Sequence, residues 1–178
     1  IDAHRISTAP PLQRIVVAVD PPVTTSKSAD ACGIVVAGLA DNGHAYVIED
    51  ATLQGIRPVV WARRVVRAYR THAADRVVVE VNQGGDLVGG LIADVDDQVP
   101  LRDVRASRGK WLRAEPVAAL YEQGRVHHVG SWPALEDQMC QFTPSGLTGA
   151  NSPDRVDALV WALTDLMLGG GAPRVRSL

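Results

Sequence analysis

The sequence predicts one α/β domain on a mixed sheet, antiparallel over its first three strands and alternating strand and helix afterwards, with helices on both faces. Three observations predict it. A chain of 178 residues suits one domain with a sizeable core. Three β-branched runs come first, parted by turn signals. Short apolar runs then alternate with helical patterns, ending in a strongly amphipathic stretch from residue 152 to 168.

Each element has its own signal. Residues 1–13, "IDAHRISTAPPLQ", lack periodicity and carry a Pro pair, which predicts a linker or exposed arm. The run 14–20, "RIVVAVD", predicts the first strand, with two prolines stopping it. Residues 32–40 and 44–53 predict the second and third, and "DNG" at 41–43 supplies the hairpin between them. Pro58, at a favoured first helical position, opens a helix to about His72 with Trp61, Val65, Ala68 and Tyr69 on one face. A strand from Asp75, a helix over 87–95, a strand from Leu101, a helix from Pro116 to Gln123 stopped by Gly124, and a strand over 125–130 follow. In the last helix Ser152 is the expected N-cap and Pro153 the first helical residue. Val156, Leu159, Val160, Leu163 and Met167 form its apolar stripe. The folded domain is expected to span 14–168, with 169–178 a flexible tail. This order of elements is that of a ribonuclease-H-like domain.

Composition narrows the function. A formal net charge of −2 gives no global basic field, so a nucleic-acid partner has to be met by a local patch. Two cysteines, Cys32 and Cys140, far apart and without Cys/His spacing, indicate neither a disulfide framework nor a zinc site. Apolar runs are too short for a membrane span, and a soluble cytoplasmic protein is expected.

The informative residues are acids in places where acids are costly. Asp20 ends a strand that is otherwise apolar, on the face shared by Val16 and Ala18. Glu80 is the odd residue in "VVVEVN", a run expected to be covered on both faces. Either could be held by an arginine. Asp154 and Asp157, three residues apart, share one face of the last helix, where acids also favourably oppose the helix dipole. Together the four can converge at one point of the sheet edge. Carboxylates that close repel unless cations lie among them, and Mg²⁺ or Mn²⁺ is the natural cation for oxygen ligands. Two such ions about 4 Å apart suit water activation and in-line displacement at phosphorus.

The segments "VDPP…ADACGIVVAG", "VVVEVNQGGDLV", "GKWLRAEPVAALYEQGRVHHVG", "LEDQMCQFTP" and "SPDRVDALVWALTDLML" resemble the carboxy-terminal nuclease domain of the large terminase subunit of tailed phages and gene transfer agents, over about residues 14–168. The resemblance implies a ribonuclease-H-like endonuclease that cuts double-stranded concatemeric or genomic DNA at the start and end of packaging. It places Asp20 and Glu80 at the first two metal-ligand positions and the last acid in "PDRVDAL", with Asp157 the first choice and Asp154 its companion. It also implies an ATPase domain ahead of the nuclease, and portal and small terminase subunit as partners. No GxxxxGK[ST] loop occurs, so this chain is not that motor, and the arm at 1–13 fits an interdomain linker. Holliday-junction resolvases share the fold and the acids and remain an alternative, as does a catalytically silent assembly module.

Lesser candidates surround these. Asp30 could approach a metal or serve a turn. Asn82, Gln83, Gly84 and Gly85 could bring backbone amides to DNA or form a plain turn. Arg102, Arg105, Arg108, Lys110 and Arg113, five cations in twelve positions, could hold the DNA backbone or be a solvated face. His127 and His128 lack the partners of a metal or triad, and Trp161 fits an apolar helix surface better than a base-stacking platform.

Overall fold

The computed structural model describes residues 1–22, 31–81, 86–107, 109–144, 146–147 and 152–169. Asp30, Asn82, Gln83, Gly84, Gly85, Arg108 and the tail from 170 lie outside the described residues.

Six strands form one sheet: β1 (Leu12–Asp20), β2 (Gly33–Ala40), β3 (Ala45–Asp50), β4 (Arg76–Glu80), β5 (Leu101–Val104) and β6 (Val126–His128), in the order β5-β4-β1-β2-β3-β6. β1, β2 and β3 pair antiparallel, as expected, whereas β4, β5 and β6 each join a parallel neighbour. The helices are α1 (Pro58–Thr71), α2 (Asp86–Ala93), α3 (Lys110–Glu122), α4 (Pro133–Gln141) and α5 (Asp154–Leu163). Phe142–Thr143 (β7) and Gly146–Leu147 (β8) make a separate small hairpin.

Strand alternation sorts the core into two layers. Ile15, Val17, Val19, Ile34, Val77 and Val79 face Trp61 and Val65 of α1 and Ile92 of α2. Val16, Ala18, Val35, Ala37 and Val78 face Leu159 and Leu163 of α5, with Val117 and Leu120 of α3 and Leu135 of α4 packed behind. Ile34, Leu159 and Leu163 are fully buried, each contributing about 1.5–3 kcal/mol. Asp20 keeps the parity of Val16 and Ala18, and Glu80 that of Val78, so both acids face α5.

Four local expectations change. Leu12 and Gln13 belong to β1. The rest of the expected arm docks at the sheet edge rather than projecting from it. Ile6 N–H donates to the His128 carbonyl at 2.9 Å, Gly130 N–H donates to the Ile6 carbonyl at 2.9 Å, and Arg5 forks onto Glu136 of α4 at 2.7 and 2.9 Å. One bridge and one ion pair leave no periodic trace in a sequence.

α3 begins six residues before Pro116, which lies inside it. An interior proline removes one backbone bond and costs about 3 kcal/mol, so it reads as a start signal. Here the turns ahead of it are held by the ion pairs of Lys110 and Arg113 described below. α4 forms where no element is expected; its nine residues bury only Leu135.

α5 is capped from outside. Pro153, not Ser152, is the N-cap residue, and no local side chain bonds the helix start. Gln138 of α4 does this work: its Oε1 accepts the Val156 N–H at 3.0 Å and its Nε2 donates to the Ser152 carbonyl at 3.3 Å. Val156 is the third helical residue, the donor that an N-cap side chain usually satisfies. Beyond Leu163 the helix widens into a π-helical turn, Thr164–Leu168, closed by Gly169 N–H onto the Thr164 carbonyl at 2.6 Å.

Candidate active site

β1 and β4 are parallel with Val19 opposite Val79, so the residues that follow, Asp20 and Glu80, lie side by side at the carboxyl edge of the sheet. α5 starts over this edge and adds Asp154 and Asp157. All four are buried, at 6, 5, 6 and 2% exposure respectively. The close seating of α5 depends on Gly33, the partner of Asp20 across β1 and β2. A Cβ on Gly33 would lie 2.0 Å from the Asp154 carbonyl oxygen, so a side chain there would push the helix start away.

The convergence has electrostatic consequences. The Asp20 carboxyl is pushed well above its ordinary pKa, first by burial and then by the charges of Asp157, Glu80 and Asp154, with Lys110 opposing. Asp157 is also raised, chiefly by burial, while Lys110 and Arg113 pull it down. Burial works against the charge of Lys110, but Asp157, Asp20 and Asp154 outweigh it and raise its pKa.

Two cations of α3, one turn apart, answer these acids. Lys110 Nζ lies 2.5 Å from Asp157 Oδ2 and donates to Ser152 Oγ at 3.2 Å. Arg113 spans two acids, with Nη1 3.2 Å from Glu80 Oε2 and Nη2 3.3 Å from Asp157 Oδ1. Its guanidinium lies 4.8 Å from the Trp161 ring centre, at cation–π distance. Trp161 Nε1 donates to Glu80 Oε2 at 2.5 Å. Trp161 is thus a site residue, although its sequence setting suggests an apolar helix surface. Its spacing from Asp154 and Asp157, seven and four residues on, is the signal that could have found it.

Among the described residues, no three His, Cys, Asp or Glu side chains are arranged as a metal cage. The donor set nevertheless fits a hard divalent ion: oxygen-only ligands, buried together, with burial first and the neighbouring carboxylates second raising the pKa of Asp20.

Of the five expected backbone-binding cations, the four among the described residues, Arg102, Arg105, Lys110 and Arg113, do not form one patch. Lys110 and Arg113 turn into the acids. Arg102 pairs with Asp165, an acid in the π-helical turn that sequence reasoning missed. Arg76 reaches the same carboxylate at 2.9 Å and Arg14 at 3.1 Å. Asp165 and Arg14 are both buried, and a buried arginine opening a strand gives no sign of its partner 151 residues away. Arg105 is exposed. With Arg102, Val104, Trp161, Thr164 and Asp165 it lines a cleft of about 180 Å³. His128 is buried against Tyr121 and Glu136, and His127 stacks between His44 and Tyr46, both packing roles as expected.

The family model for the terminase RNaseH-like domain matches residues 17–166, from β1 into the π-helical turn. The chain belongs to that family. Its terminase fold is shared by solved structures at low sequence identity. The large terminase nuclease of thermophilic phage G20c with bound magnesium is 17% identical, with a TM-score of 0.62 over 84% of this chain and 81% of that one. The HK97 bacteriophage large terminase is 13% identical, with a TM-score of 0.60 over 93% of this chain. This terminase domain spans 41% of the HK97 chain. Thermus thermophilus RuvC is 16% identical, with a TM-score of 0.51 over 90% of this chain and 99% of that one. No curated protein matches the chain in sequence. No helix of the described residues is long and apolar enough to cross a membrane.

Proposed function

We propose that this terminase domain is a metal-dependent endodeoxyribonuclease that hydrolyses phosphodiester bonds of double-stranded DNA at the initiation and termination of packaging. The observation that carries this reading is the meeting of Asp20, Glu80, Asp154 and Asp157 from three separate elements at one sheet edge. The G20c nuclease, which shares the fold, binds magnesium.

Asp20, Glu80 and Asp157, joined by Asp154, would hold Mg²⁺ or Mn²⁺, two ions in the reading we favour. When bound, such ions supply an activated water and charge stabilisation at phosphorus and the departing 3′ oxygen. The protein's share is orientation. Trp161 fixes one oxygen of Glu80, Gly33 lets the Asp154 turn sit against the strands, and Gln138 fixes the turn itself. Arg105 and Arg102 would take flanking phosphates in the cleft that they share with Trp161, a backbone contact without base readout. An ATPase domain of the same full-length protein, portal and small terminase are the proposed partners, in the cytoplasm of the host cell.

Nicking of supercoiled plasmid tests the proposal, with Mg²⁺, Mn²⁺ and chelator, on wild type and on Asp20→Ala and Glu80→Ala. Metal-dependent nicking lost in both folded variants is the expected result. Undiminished cutting in both would remove the proposed site, and absent cutting in wild type would favour a silent assembly module. The likeness to RuvC keeps a resolvase reading in play; preference for a four-way junction over linear duplex would support it.

A further inference from the structure

The two cations that enter the acid cluster differ in how they are held. Arg113 has a side chain only 10% exposed, with one nitrogen on Glu80, another on Asp157 and Trp161 at its face. Lys110 has a side chain 44% exposed and is the first residue of α3. It reaches in by a flexible four-carbon stem to Asp157 and Ser152. A planar fork clamped between two acids and an indole cannot leave without unmaking three contacts. A point charge on a solvent-facing stem can leave by rotating its side chain.

We propose that Lys110 is an exchangeable counter-ion of the acid cluster, which vacates Asp157 when a divalent cation binds, whereas Arg113 is a fixed positioning residue that holds Glu80 and Asp157 together at a set spacing. The proposal rests on the metal-binding reading above. Asp157 Oδ2 cannot be both the partner of Lys110 at 2.5 Å and a ligand in an oxygen-only shell, because the ammonium occupies the space that a second cation would need. Binding of metal therefore includes breaking this pair, and the measured affinity is lowered by the strength of that pair. Arg113 has the opposite sign of effect. It bonds one oxygen each of Glu80 and Asp157, and without it the two carboxylates repel directly across the metal position.

Calorimetric titration of Mn²⁺ into the whole domain, with no DNA present, tests this without reference to cutting. Lys110→Met keeps the stem and removes the charge. It is expected to bind Mn²⁺ about tenfold more tightly than wild type, an effect that shrinks as salt is raised. Arg113→Met is expected to bind about tenfold more weakly, with Arg113→Lys failing to restore the affinity because one ammonium cannot span two acids. Urea unfolding in chelator confirms that each variant is folded. Lys110→Met with unchanged or weaker Mn²⁺ affinity, in a domain whose wild type does bind the ion, overturns the exchange and leaves the four-acid reading standing. Absence of Mn²⁺ binding in wild type and Lys110→Met alike overturns both.

Discussion

Both ends of α5 and its π-helical extension bury acid, and they resolve the cost in opposite ways. At the start, Asp20, Glu80, Asp154 and Asp157 meet Lys110 and Arg113, four carboxylates against two cations among the described residues. At the far end, Asp165 alone meets Arg14, Arg76 and Arg102. One cluster carries surplus negative charge and the other surplus positive charge. A buried charge that is over-answered by its neighbours holds a fold together. A group of charges under-answered by their neighbours is held in place by the fold, and is complete only with something from outside. Burial alone therefore does not distinguish the two clusters; the sign of the local imbalance does.

Removing one acid from each cluster should break the symmetry most clearly. Asp165→Ala leaves three guanidinium groups facing each other at a largely buried position, and is expected to cost about 3–5 kcal/mol in urea unfolding. Asp20→Asn, in chelator, removes a buried charge that its neighbours oppose; its urea midpoint should match or exceed that of wild type while plasmid nicking is abolished. A marked loss of stability in Asp20→Asn would place that acid with Asp165 as a structural one.

The next effect comes from Gly33. Gly33→Ala sets a methyl group against the Asp154 carbonyl and is expected to cost about 1–3 kcal/mol and to lower Mn²⁺ affinity by displacing the start of α5. The equivalent change far from that helix, Gly90→Ala, meets nothing within 4 Å and should leave metal binding alone.

Glu136 offers a third, balanced cluster. Arg5 above all, then His128 and the Trp132 amide, hold its carboxyl down to about 2 against the opposing effect of burial. A native pKa below the unfolded value gives stability that is complete above about pH 4.5 and lost as pH falls towards 2. Unfolding from pH 7 to 3 should show this acid limb, of about 1–2 kcal/mol, in wild type and lack it in Glu136→Gln. The smallest effect belongs to Arg105. Arg105→Ala should change stability by less than about 0.5 kcal/mol and reduce the salt slope of duplex binding by about one. A slope unchanged from wild type would remove the cleft from the DNA path.

Much of this organisation is legible in the sequence, for definable reasons. β1, β2 and β4 are rich in β-branched residues, so a carboxylate in them stands out, and parity puts Asp20 on the face of Val16 and Ala18; that Glu80 shares this face follows only from the parallel register of β1 and β4. Asp154 and Asp157 join them because their spacing is helical. What stays hidden is paired at long range. Arg14, Arg76 and Arg102 look like ordinary polar residues of three strands until topology brings them to Asp165. α4 is short and buries one residue, so its pattern is faint. Pro116 imitates a helix start, and the true start six residues earlier carries the two cations that reach the acids.

The remote capping of α5 has a consequence for the order in which the domain assembles. A helix that starts with Ser, Thr or Asp at its own N-cap can form that turn locally, before it meets the rest of the chain. Here the first turn is capped by Gln138, so its stability depends on the docking of α4, and α4 is itself pinned by Arg5 through Glu136. The turn bearing Asp154 and Asp157 is thus among the last parts to gain protection from hydrogen exchange and among the first to lose it. A nascent or partly unfolded chain holds its acids dispersed, and brings them together only when the whole domain is in place.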